Sequence, residues 1–145
     1  MNNLATTAYA KSDYETALRY LEQALAIQQQ IGDLKGEGTT LNNISQIYHD
    51  KGDYNATLRY LEQSLAIKQQ IGDLSGIAGN SHNIGCLYFD QDRYEEAIPL
   101  LVQAYQILQQ IGSPNVKVTE GYLSDIIERI GEAKFQEILS KIGKA

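Results

Sequence analysis

Tryptophan is absent from the sequence, cysteine occurs once and proline twice. With Cys86 alone there is no internal disulfide framework, so the chain is expected to fold on its apolar core in a reducing, cytoplasmic setting. Basic residues are in the minority, 12 against 18 acidic ones, for a formal charge of −6. A duplex-binding protein gains most of its affinity from phosphate contacts and carries a basic stripe to make them. No such stripe is present, and the stretch from Lys141 to Lys144 reads as a solvated terminal face. Nucleic acid is therefore excluded as the expected partner, and anionic membrane surfaces for the same reason. No apolar run approaches the roughly 18 residues that span a bilayer. Met1-Asn2-Asn3-Leu4-Ala5 lacks the basic and apolar regions of a secretory signal.

Glycine, by contrast, is plentiful at 12 residues. Many glycines with few prolines favour helices separated by tight turns over a strand-rich sandwich. The turns recur with a period of 40 residues. Residues 11–50 and 51–90, laid over each other without a gap, agree at about 23 of 40 positions. Leu18-Arg19-Tyr20-Leu21-Glu22-Gln23 returns as Leu58-Arg59-Tyr60-Leu61-Glu62-Gln63, and Ile31-Gly32-Asp33-Leu34 as Ile71-Gly72-Asp73-Leu74. A weaker third copy stays in phase through Tyr94, Ala97, Ile98, Leu101, Ala104, Ile107, Ile111 and Gly112.

Each copy reads as two helices. Leu58, Leu61, Leu65 and Ile71, led by Tyr54, follow a spacing of three and four that makes one helical stripe. Leu41, Ile44, Ile47 and Tyr48 form the stripe of the preceding helix. Asp13 and Asp53 stand where a side chain accepts from first-turn amides. Gly32, Gly72 and Gly112 suit the left-handed residue that ends a helix, each followed by a capping type, Asp33, Asp73 or Ser113. Gly52 makes the turn within a repeat. The pattern predicts helices near 2–11, 14–31, 34–51, 54–71, 74–91, 94–111, 115–130 and 132–142. Pro114 is expected at the first helical position of the seventh.

These residues resemble the tetratricopeptide repeats. That family places a large apolar, a small and an aromatic residue on the first helix, then an aromatic, Ala, a large apolar residue and Ala on the second. Here the series is Ile44, Ser45, Tyr48, Tyr54, Thr57, Leu61 and Ser64, and then Ile84, Gly85, Tyr88, Tyr94, Ala97, Leu101 and Ala104. Small residues such as Ala17, Ala24, Ala97 and Ala104 let neighbouring helices approach closely. The period of 40 is similar to the longer variant of kinesin light chains, spindle-orientation adaptors and microbial regulatory proteins. The resemblance implies an all-α fold, an α-α superhelix. It would be a single solenoid domain over 1–145, with repeats at about 1–33 (partial), 34–73 and 74–113 and a C-terminal cap over 114–145.

Both ends carry an alternative. Asn3 aligns with Asn43, so the chain begins inside a first helix, leaving Leu4, Ala8 and Leu18 partly uncovered. A solenoid end needs a polar cap. The sequence is then either part of a longer array or one half of a homodimer joined through the open N-terminal end. The C-terminal segment, with Leu123, Ile126, Ile127, Ile130, Phe135, Ile138 and Leu139, reads as a cap, with self-association as the alternative.

The resemblance further implies a concave wall lined by first helices, and by phase its inner positions are Thr39, Asn42, Asn43, Gln46, His49 and Asp50. The next repeat contributes Gly79, His82, Asn83, Cys86, Phe89 and Asp90. The partial first repeat adds Asn2, Asn3, Thr6 and Tyr9, and the C-terminal segment adds Tyr122, Asp125 or Arg129. Asparagine both donates and accepts, so an asparagine ladder can grip an extended peptide backbone whatever its sequence. Tyr9, Phe89 and Tyr122 would supply apolar anchoring. Asn43 and Asn83 equally allow an internal role, bonding carbonyls of a neighbouring helix. The clamp by which some members of the family hold a terminal carboxylate needs Lys and Arg beside Asn. Of its five positions only Asn43 matches; the others fall on Asn2, Thr6, Gly79 and Asn83. A basic or neutral-aromatic segment therefore fits the wall better than an acidic tail.

Catalytic and metal readings find little. His49 and His82 are the only histidines, and Cys86 with His82 at i, i+4 offers two ligands where zinc needs more. The same pair as nucleophile and base is the enzymatic alternative. No glycine-rich phosphate loop, nucleophile elbow or paired-carboxylate motif is present. The expected function is a protein-interaction module, not an enzyme, with no cofactor and a peptide or protein as partner.

Overall fold

A computed structural model of the chain describes residues 13–142. The described residues form seven helices, α1 (Tyr14–Ile31), α2 (Leu34–Asp50), α3 (Tyr54–Ile71), α4 (Leu74–Asp90), α5 (Tyr94–Gln110), α6 (Val116–Ile130) and α7 (Glu132–Lys141). The helix expected near 2–11 lies outside the described residues.

Local chemistry accounts for where the helices start and stop. Side-chain oxygens of Asp13, Asp33 and Asp53 accept from the amides of Thr16 (3.1 Å), Gly36 (2.9 Å) and Ala56 (3.1 Å). Each satisfies one of the amides that a helix leaves unpaired in its first turn. At the other end, Gly32, Gly72 and Gly112 adopt φ of 75°, 72° and 70°. The amide that follows each glycine then closes on a carbonyl five residues back: Asp33 on Gln28, Asp73 on Lys68, Ser113 on Leu108. One C-terminal motif is thus built three times.

The third copy departs from the rule. Asp92 takes the left-handed place of Gly52, at φ 58° against 81°. Arg93 replaces the capping Asp53 and makes no cap; its guanidinium bonds Glu96 and lies 4.6 Å from the Tyr88 ring centroid. Pro99 sits inside α5, where it removes one helical hydrogen bond. Pro114 corrects an expectation: it does not open α6 but lies in a turn before it, in which the amide of Val116 donates to the carbonyl of Ser113 at 3.3 Å. The apolar stripes also end early, since Ile31, Ile71 and Ile111 at the last turns remain exposed.

The chain divides into two compact units, Met1–Asp73 and Leu74–Ala145, with the division between two repeats. In the first unit α2 packs on α3 and α1 on α2. Ala17, Leu21, Ile44 and Ile47 are its buried centre, flanked by Tyr14, Leu18, Tyr20, Leu25, Tyr48 and Tyr60. Tyr48 and Tyr60 stack with centroids 5.4 Å apart and planes 5° from parallel. Buried Ser64 donates its hydroxyl to the carbonyl of Gly38 at 2.8 Å, so the two small residues bring α2 and α3 together. In the second unit Phe89, Ala97, Ile98, Leu101, Ile126, Phe135 and Ile138 form one core, in which α6 and α7 cover α5. Each large apolar side chain so buried is worth about 1.5–3 kcal/mol relative to exposure.

Candidate functional site

In the first unit, packing and exposure divide α2 cleanly. Leu41, Ile44, Ser45 and Ile47 are buried, while Thr39, Asn43, Gln46 and Asp50, spaced by four, three and four, are exposed along the opposite stripe. Gln46 donates to Asp50 at 3.1 Å, and His49 Nδ1 lies 3.6 Å from the same carboxylate. The His49 ring meets exposed Tyr54 edge-on at 5.6 Å. Asn42 is half-buried, and its carbonyl accepts from Ser45 at 2.6 Å. The exposed Asn43 amide has no side-chain partner among the described residues.

The second unit treats the matching helix differently. Gly79, Asn83 and Asp90 are exposed on α4, but His82 and Cys86 are half-buried. Thr119, buried on α6, lies 2.9 Å from His82 Nδ1, and Cys86 Sγ 3.4 Å from His82 Nε2. Tyr122, half-buried on α6, meets the His82 ring edge-on at 5.5 Å and the Phe89 ring at 5.2 Å. Phe89 corrects an expectation. It is not exposed for anchoring a ligand but is only 8% accessible, held between Tyr94 and Tyr122 with the Arg129 guanidinium 4.7 Å from its centroid. The physical reason is α6, whose side chains fold back over this stretch of α4. Asn83, like Asn43, is exposed without a side-chain partner among the described residues. Tyr9 lies outside the described residues.

Beside His82, a cleft of about 360 Å³ opens between α4 and the turn leading into α6. Gly79, His82, Asn83, Ser113, Asn115 and Thr119 contribute to its wall. Thr119 and Asn115 carry no motif in the sequence; only their approach to α4 gives them a place here.

Reactive chemistry is not favoured. Burial pushes the Cys86 thiol up to about 11, and Asp90 acts in the same sense, outweighing a hydrogen bond from Tyr122. A thiol that stays protonated at neutral pH is a poor nucleophile. Burial also lowers the basicity of His82. Among the described residues no cluster of three or more His, Cys, Asp or Glu could hold a metal ion, and no helix is long and apolar enough to cross a membrane.

Helix pairs of this size, repeated in sequence with a shared C-terminal turn at Gly32, Gly72 and Gly112, define an all-α helical repeat protein of the superhelical class. Two models described as tetratricopeptide repeat match the sequence, one over residues 1–70 and one over residues 82–111, together well over half of it. The chain belongs to the tetratricopeptide repeat family. No curated protein matches it by sequence. Among solved structures it is similar to BtubC (BKLC) from P. vanneervenii, at 18% identity and a TM-score of 0.77. That likeness covers 99% of this chain and 59% of BtubC, so the chain spans less than two thirds of it. A Podosopora anserina protein described as a putative kinesin light chain, with nearly identical TPR-like repeats, gives a TM-score of 0.72 at 18% identity, over 97% of this chain and 70% of its own. A singly substituted form of that protein gives 0.73 at the same identity and coverage. At these identities the likeness establishes the fold alone; repeats of the family to which the chain belongs are typically non-enzymatic scaffolds for protein–protein interaction.

Proposed function

We propose that the chain is a protein-interaction module that holds a peptide or partner protein on a concave face lined by the first helices of its repeats. It would serve as an adaptor or as the sensor part of a larger regulatory protein. One observation carries this reading. Asn43 and Asn83 occupy the same place in successive repeats, and both expose an amide that nothing among the described residues engages. A buried amide would have to be paired; these two are left to solvent on helices whose opposite faces are packed. Preformed helices also lose little conformational freedom on binding.

The acidic balance supports a basic or neutral-aromatic segment as partner, and a cytoplasmic setting agrees with a single half-buried cysteine. A pull-down from the source cell, comparing wild type with Asn43→Ala/Asn83→Ala, tests the reading. Expected is loss of the captured partner with helicity and melting nearly unchanged. A large fall in melting temperature would instead assign the two residues a structural role. Self-assembly is the second reading, supported by Ile27 and Ile31, which are 47% and 70% exposed on α1. The open N-terminal end invoked for it lies outside the described residues. Light scattering across a concentration series decides it, since a strict monomer removes it.

A further inference from the structure

The cleft beside His82 has no acid, lysine or arginine in its wall. This matters in a chain of which 21% is charged. Its apolar side is Ala78, Leu108 and Val118, the last 54% exposed. Its polar side offers the carboxamides of Asn83 and Asn115, both exposed and without side-chain partners among the described residues. His82 and Thr119 are occupied with each other at 2.9 Å and form a fixed base. Small-molecule pockets begin near 300 Å³, so about 360 Å³ suits one or two side chains of a ligand and not a whole peptide.

We infer that this cleft is a subsite for an uncharged carboxamide, a glutamine or asparagine side chain of the bound segment, its stem on Leu108 and Val118 and its amide read by Asn83 and Asn115. The inference rests on the peptide-binding reading above and narrows it. A carboxamide presents both donors and an acceptor, as do the two asparagines that face it. A carboxylate or ammonium entering the cleft would give up water and meet no opposite charge. Apolar side chains would fill the space but leave the asparagine amides unpaired.

Gly79 supplies a clean test. It lines the cleft, and a Cβ built there meets nothing within 4 Å. Gly79→Leu therefore fills the cleft from a helical position where leucine is the better helix former. The probes are N-acetylglutamine N-methylamide and its glutamate and lysine counterparts, titrated against the whole chain while the His82 ring and Thr119 amide resonances are followed. The glutamine probe is expected to shift both saturably, with the charged probes at least about tenfold weaker, the equivalent of one hydrogen-bonded group left unpaired. Gly79→Leu is expected to abolish the shifts with melting unchanged or raised. If it unfolds, Asn83→Ala/Asn115→Ala, at two exposed positions, takes its place with the same expected loss. Equal or tighter binding of a charged probe, or a persistent response in the plugged variant, overturns the subsite. A partner captured equally well by wild type and Gly79→Leu, but lost from Asn43→Ala/Asn83→Ala, overturns the subsite while leaving the interaction module standing.

Discussion

Nδ1 of His82 on α4 lies 2.9 Å from Oγ1 of Thr119 on α6, tying a helix of the repeat to the first helix that follows it. His82 is half-buried, and burial lowers its pKa from the ordinary 6.5. The unfolded chain therefore binds the proton more readily than the folded one, and stability falls as protons are taken up. The contribution is fully present above the ordinary value. It is lost as pH drops through 6.5 toward the depressed folded value. Melting followed from pH 8 to 5 is expected to show this fall, and His82→Gln to flatten it. Thr119→Val removes the hydroxyl at constant volume and is expected to cost about 1–2 kcal/mol near neutrality, the loss of a part-buried hydrogen bond. A variant with the wild-type melting curve at both ends of the range would show that the contact contributes nothing.

Cys86 answers the enzymatic alternative by its reactivity. Its thiol is pushed up to about 11, chiefly by burial. Iodoacetamide at pH 7.5 is expected to alkylate it more than about tenfold more slowly than free cysteine, because the thiolate is the reacting species. Urea should restore the ordinary rate. A fast reaction of the folded chain at neutral pH would revive a nucleophilic role.

The helix frame was legible because its signals are local. Asp13 and Asp53 as caps, the left-handed glycines and the three–four spacing of Leu58 and Leu61 each act within a few residues, and six of the seven helices begin at the residue expected. What escaped depends on how helices meet. Phe89 shares an α4 stripe with His82 and Cys86, and nothing in its own neighbours in sequence says that Tyr122 and Arg129 will close over it. Thr119 acquires its role in the same way. Asn43 and Asn83 could be located by phase, yet their exposure is a property of the packed helix and not of the motif. Pro114 was misplaced because a proline fits a turn as readily as a first helical position.

The caps differ in a way that mutation can read. Asp53 accepts from Ala56 at 3.1 Å, whereas Arg93 at the matching position caps nothing. Asp53→Ala is expected to cost about 1 kcal/mol, or a few degrees in melting temperature. Arg93→Ala removes an exposed ion pair with Glu96 and a contact with the half-buried Tyr88 ring but no helix cap, and is expected to move the transition less. Equal effects at the two positions would mean that the aspartate cap is not what holds the start of α3.

Two glycines on α4 should respond in opposite directions to the same change. Both are helical, so each gains about 0.5–1 kcal/mol on replacement by alanine if the methyl group has room. At Gly79 it does, since a Cβ there meets nothing within 4 Å. At Gly85 the Cβ would stand 2.7 Å from Cγ and 2.8 Å from Cδ2 of Leu101, a side chain with no exposure and so no free direction in which to move. Overpacking of this kind costs about 1–3 kcal/mol, more than the helix gain. Gly79→Ala is therefore expected to raise the melting temperature and Gly85→Ala to lower it. In the double variant Gly85→Ala/Leu101→Ala the clash disappears, so the two losses should sum to less than their separate values by at least about 1 kcal/mol. Strict additivity in that cycle would place the close approach of α4 and α5 somewhere other than at this pair.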